Sequence, residues 1–200
     1  MKSGAFPGIL VFAVAALIQP NLSLATDGEL QSSAPLVPSP AVSLKVPGPE
    51  AQHLMLGTWA IHVKYEPSAE MPNGGVGQGR EVWRAGPGGG SVIEEYEEEG
   101  AAGEFHGLGV AWWDEKAQGQ RFIWCASHDP GGCQLSKNVA KWEGNSLIYT
   151  EETEEKGKRL VRQEVFTNIT PTSFTQILKA GPTASELKTT VTIQATRLKR

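Results

Sequence analysis

Residues 57–65 read GTWAIHVKY, and this stretch decides the fold. Trp59, Ile61, Val63 and Tyr65 fall on alternate positions, with Thr58, His62 and Lys64 between them. Side chains of a strand point to opposite faces with a period of two, so this is a half-buried β-strand with an aromatic and aliphatic inner face. The far end of the chain answers it. In 187–197, Val191, Ile193, Ala195 and Arg197 share one face, and Thr190, Thr192 and Gln194 the other.

Between these two, short runs rich in β-branched and aromatic residues alternate with clusters of Gly, Pro, Asn and Asp. The pattern predicts further strands near 77–85, 90–97, 105–113, 119–126, 137–143, 146–152, 158–168 and 172–180. PNGG, GPGGG, HDPGG and KAGPTAS, among the separators, are turn chemistry. Connections this short make successive strands antiparallel neighbours. About ten strands in one open sheet would leave bare edges, which closure removes. The expectation is an all-β domain over 51–200, a single up-and-down antiparallel barrel of about ten strands, with 51–56 as a helical turn plugging one end. In the central strands Leu108, Val110 and Trp112 form one row, and Phe122, Trp124 and Ala126 another.

In a closed meander the first and last strands pair antiparallel, which brings Trp59 and Arg197 to the same pole. An indole under a guanidinium gains roughly 0.5–2 kcal/mol and seals that pole against water. The Gly57-x-Trp59 opening with a terminal Arg197 resembles the calycin superfamily of lipocalins, fatty-acid-binding proteins and nitrobindin-like barrels. The sequence is also similar to an uncharacterised bacterial exported family of calycin type, a domain of unknown function. That likeness rests on Gly57-x-Trp59, the Gly-rich second hairpin, Gly107-x-Gly109 before Trp113-Asp114, and Thr196-Arg197, and it covers residues 54–197. It implies a barrel and export and carries no activity with it. Residues 66–76 (EPSAEMPNGGV) are too rich in Pro and Gly for a helical lid, so the lidless nitrobindin-like form fits best.

Ahead of the domain, residues 1–25 read as a signal peptide. Lys2 starts it, Ile9 to Ile18 form an apolar core, and Ser23-Leu24-Ala25 supplies the small residues of a cleavage site. The apolar run is about half the length that a membrane-spanning helix requires, so no stable membrane span is expected. Residues 26–50 hold five prolines without periodicity and read as a linker. The chain is thereby expected to be periplasmic or secreted, where Cys125 and Cys133, flanking a turn, pair as a disulfide. A net charge of −4 gives no footprint for nucleic acid. No sequence signal fixes an oligomeric state.

A barrel of this size is either filled by side chains or hollow enough for one small ligand. The residues placed to line a ligand site are Trp83, Tyr96, His106, Trp112, Trp124, Tyr149, Phe174 and Gln176, with Trp142 and Phe166 as further interior rings. Gln176 and His106 are the polar groups among them that would orient a ligand. The acidic runs 94–99 and 151–155 read as a solvated rim, because at most every second Glu can face one side of a strand. The Gly segments 74–79 and 86–90 lack the Lys-Ser or Lys-Thr of a phosphate loop and are hairpin turns. Neither a Gly-x-Ser-x-Gly elbow nor a His-Glu-x-x-His helix is present, no metal ligand set is indicated, and no cofactor is called for. Asn168-Ile169-Thr170 fits a glycosylation acceptor, relevant only in a eukaryotic secretory host. The leading expectation is an exported lipocalin-like barrel binding a small apolar or amphipathic ligand without catalysis. A solid-cored structural or envelope-interaction module is the alternative, and a haem-binding or enzymatic barrel using His106, with His128 as the other haem candidate, the second.

Overall fold

The structure, a computed structural model, describes residues 49–129, 131–155 and 157–199. The expected leader (1–25) and all but the last two residues of the expected linker (26–50) lie outside the described residues. Eleven strands follow a short 3-10 helix over Pro49–Met55. They are β1 (Gly57–Tyr65), β2 (Gly75–Ala85), β3 (Ser91–Gly100), β4 (Gly103–Asp114), β5 (Gly119–Ala126), β6 (Cys133–Leu135), β7 (Lys141–Glu143), β8 (Ser146–Glu155), β9 (Lys158–Thr167), β10 (Ser173–Gly181) and β11 (Lys188–Arg197).

All pairings are antiparallel, in the order β6-β5-β4-β3-β2-β1-β11-β10-β9-β8-β7. The first and last strands therefore lie side by side, with Trp59 opposite Arg197 and Tyr65 opposite Val191. The sheet curls until its edges meet. Gln120 of β5 bridges Ala140, just ahead of β7, through two backbone hydrogen bonds of 2.8 Å. This corrects the single strand expected at 137–143. Only Lys141–Glu143 of that segment is a strand, paired with β8, and Cys133–Leu135, ahead of it and not expected as a strand, pairs with β5. At the crossing the Lys137 N–H donates to the Tyr149 hydroxyl and the Asn138 amide to the Thr150 carbonyl, so side chains replace the missing ladder.

The 3-10 helix caps the pole where β1 begins and β11 ends. Trp59, fully buried, donates from its indole to the Met55 carbonyl at 2.8 Å and meets Phe174 edge-on at 4.8 Å between ring centroids. Arg197 lies over that indole, its Cζ 4.0 Å from the ring centroid. Its guanidinium donates to the carbonyls of Leu54, Leu56 and Pro171. Gly57 is required here. Its φ is +140°, and a Cβ would stand 2.0 Å from Arg197 Nη1. The expected plug and pole are thus present, with the helix starting two residues before 51.

Cys125 and Cys133 pair in the β5–β6 register and are disulfide-bonded at the opposite, open end. Among the described residues no helix is long and apolar enough to cross a membrane, which says nothing of strands.

Candidate functional site

The inner face is set by the alternation of β1. Following each residue pair across the ladder from Ile61 and Val63 gives an inward row on every strand: Glu81 and Trp83 on β2, then Val92, Glu94, Tyr96 and Glu98 on β3. On β4 the inward row is Phe105, Gly107, Gly109 and Ala111. These small residues leave room that larger neighbours use. A Cβ on Gly107 would fall 2.3 Å from the Trp124 ring, and one on Gly109 would fall 3.0 Å from a Glu94 carboxyl oxygen.

The interior is hollow. A cavity of about 830 Å³ runs from the 3-10 helix, where Gln52 and Met55 form its floor, to the mouth beside the 66–71 loop. Its walls are mostly apolar, with Val92, Phe122, Trp124, Trp142, Leu147 and Phe166 prominent. The volume lies in the range that holds a drug-sized molecule.

Set into these walls are carboxyl groups, several paired with a ring donor two residues along the same row. Tyr96 and Tyr65 both donate to Glu98, at 2.7 and 2.6 Å. Tyr149 donates to Glu151 at 2.8 Å, and the Trp83 indole to Glu81 at 3.0 Å. Glu164 accepts from the Gln176 amide. Burial, opposed by the Trp83 hydrogen bond and helped by the charge of Glu164, pushes Glu81 up to about 7. Burial, with the charges of Glu81 and Glu164, holds Glu94 well above the usual carboxylate range. Glu164 rises to about 6, chiefly through burial, with Gln176 opposing and Glu151 adding. Glu94 and Glu164 keep part of their surface on the cavity, yet both lie deep in the wall, away from bulk solvent. The hydroxyls of Tyr65, Tyr96 and Tyr149 are driven upward by burial together with their Glu partners, so they stay protonated donors.

Of the residues expected to line a ligand site, Trp83, Tyr96, Trp124, Tyr149 and Gln176 converge on the cavity. Phe174 does not. It is buried at the closed pole between Trp59 and Phe166. Trp112 stands on the opposite row of β4, paired with Ser91 and Arg121, so the row of Leu108, Val110 and Trp112 faces outward. His106 is exposed on that outer row, its ring 2.9 Å from Glu104. His128 is exposed too, in the turn after β5. A haem-binding or enzymatic reading through His106 therefore has no side chain in the cavity. The acidic runs also need correction. Glu94, Glu98 and Glu151 face inward and only their alternate neighbours form a rim. Sequence reasoning missed Glu81, Glu94 and Glu164 as interior groups. The usable signal was the spacing Glu81-x-Trp83, Tyr96-x-Glu98 and Tyr149-x-Glu151, which puts acid and ring on one face.

No protein-family model matches this sequence, and no curated protein does. Solved structures do match by shape. Rv2717c from M. tuberculosis is similar at 12% identity and a TM-score of 0.51, over 75% of this chain and 96% of that one. The S-type phycobiliprotein lyase CPES from Guillardia theta is similar at 11% identity and a TM-score of 0.47, over 76% and 92%. A redesigned β-barrel, mFAP1, bound to DFHBI, is similar at 15% identity and a TM-score of 0.40, over 74% and 99%. At these identities the likeness to Rv2717c shows the fold alone, and the fold is an up-and-down antiparallel β-barrel.

Proposed function

We propose that this chain is an exported, lipocalin-like carrier that holds a small apolar or amphipathic molecule inside its barrel and performs no chemistry on it. The cavity is the observation that carries this reading. A solid-cored structural module would fill the space between Phe122, Trp142 and Leu178 with side chains, whereas about 830 Å³ is open there. Rings set beside buried carboxyls, such as Trp83 beside Glu81 and Tyr149 beside Glu151, suit an occupant with an apolar body and a polar tip. Export is supported by the apolar run Ile9 to Ile18 and by the Cys125–Cys133 bond, which persists in an oxidising compartment.

The test uses N-phenylnaphthylamine, an uncharged dye that fluoresces in apolar surroundings. It should bind saturably. Ala111→Phe, which adds a ring to the cavity wall, should weaken binding about tenfold while leaving the circular dichroism spectrum unchanged. No saturable signal, or equal binding by a folded Ala111→Phe protein, would remove the carrier reading.

A further inference from the structure

The inward rows hold acceptors that the chain itself does not satisfy. Below the rim, among the described residues, they carry Glu81, Glu94, Glu98, Glu151 and Glu164 against Arg162. Tyrosine hydroxyls donate to both oxygens of Glu98 and to one oxygen of Glu151. The middle of the barrel is different. Glu81 Oε1 is buried with no hydrogen-bond partner. Gln176, 7% exposed and lining the cavity, gives its amide nitrogen to Glu164, which leaves Oε1 buried and unpartnered as well. Glu94 lies against the bare backbone of Gly109, on the cavity side of the wall.

Unsatisfied acceptors and buried carboxyls call for donors and positive charge. Among the described residues no group of three or more His, Cys, Asp or Glu is arranged to hold a metal ion. A bare cation is therefore a poor fit. An organic ammonium reaches further, because it brings several N–H donors, and its charge is also attracted by the faces of Trp83 and Trp124 on the same cavity. A carboxylate or phosphate ligand would meet repulsion at the same place.

Resting on the carrier reading above, we propose that the occupant is an organic cation, an apolar ring-bearing body with a protonated amine that donates to Gln176 Oε1 and to the carboxyls of Glu94 and Glu164. The body lies against the rings of Trp124, Trp142 and Phe166. The charged and titratable groups on this cavity come from several strands: Tyr65 on β1, Glu94, Tyr96 and Glu98 on β3, Tyr149 and Glu151 on β8, Arg162 and Glu164 on β9, Lys179 on β10 and Lys188 on β11, with Glu81 of β2 buried behind them. With the tyrosines protonated, Glu81 at about 7 and Glu164 at about 6 change their ionisation between about pH 5 and pH 8. An amine therefore binds more weakly as acid protonates them.

Three probes sharing one body separate the possibilities: naphthylethylamine, naphthylethanol and naphthylacetic acid, titrated calorimetrically into the folded protein. At about pH 8 the amine should bind roughly tenfold tighter than the alcohol, and the acid weakest of the three. At about pH 5 the amine's advantage over the alcohol should shrink severalfold. In Glu94→Gln/Glu164→Gln the ratio of amine to alcohol affinity should fall to about one, with thermal melting reporting that the protein is folded. Equal binding of amine and alcohol by the unaltered protein overturns the cation proposal and leaves the carrier reading standing. Preference for the acid, or an unchanged ratio in the double variant, also overturns it. If none of the three binds while N-phenylnaphthylamine does, the cation proposal alone falls; if no probe binds at all, both fall.

Discussion

Arg197 shows what one side chain contributes to this barrel. It covers the Trp59 indole at 4.0 Å and supplies donors to the carbonyls of Leu54, Leu56 and Pro171, tying the helix, β11 and the turn before β10 together. Arg197→Met keeps an apolar stem over the ring but removes every donor. Each partly buried hydrogen bond is worth about 1 kcal/mol, so the loss should be about 2–4 kcal/mol with the cation–π contact included. Arg197→Lys, which keeps the charge without the planar fork, should fall between. Urea unfolding of the three proteins gives the ranking; equal stability for Arg197→Met would remove the pole from the account. This pair was legible in the sequence, because both outer strands alternate cleanly and the topology leaves only one place for them to meet. Glu81 was not. A carboxyl with no exposed surface breaks the rule that inward positions are apolar, and only its indole neighbour two positions along marks it as interior.

Among the elements, β4 explains why Trp112 and His106, expected on the ligand cavity, stand on the outer face. Its outward row carries Leu108, Val110 and Trp112, bulkier than the inward Gly107, Gly109 and Ala111. Hydrophobicity alone then chooses the wrong face. The inward residues are small because Trp124 from β5 and Glu94 from β3 lie across them, and that demand comes from other strands. Nine of the ten expected strands were readable from turn chemistry, but the segment expected as a strand over 137–143 was not, since its course depends on Tyr149 and Thr150 catching the crossing residues. The element pair β5–β6 also carries a prediction. Cys125 and Cys133 are 8 residues apart, and opening that loop in Cys125→Ser/Cys133→Ser should cost about 2–3 kcal/mol in the chain-entropy model. A chemical denaturation midpoint unchanged by the double substitution would show that the bond adds nothing to the rim.

At the scale of the whole molecule, the interior carboxyls make stability depend on pH in an unusual direction. Glu81 titrates near 7 and Glu164 near 6 in the folded chain, against about 4.5 when unfolded. Between those values the folded state binds more protons than the unfolded state, so stability falls as pH rises through this window. For Glu81 alone the shift corresponds to on the order of 3 kcal/mol lost once the pH is above its folded value. Asp114, held low by the Ala117 N–H and Arg121, acts the opposite way at the acid end. The urea midpoint should therefore be higher at about pH 5 than at about pH 8, and Glu81→Gln/Glu164→Gln should flatten the difference. A midpoint that climbs steadily toward pH 8 would contradict the buried acids.

The strand order has a last consequence. Strands from the middle of the domain form both margins of the sheet, and its first and last strands form the spine. A peptide bond cut between Ser136 and Ala140 would sever only the crossing, and the halves would remain zipped through seven facing positions of β1 and β11. Two separately made pieces of this protein are thereby suited to reassemble into one vessel.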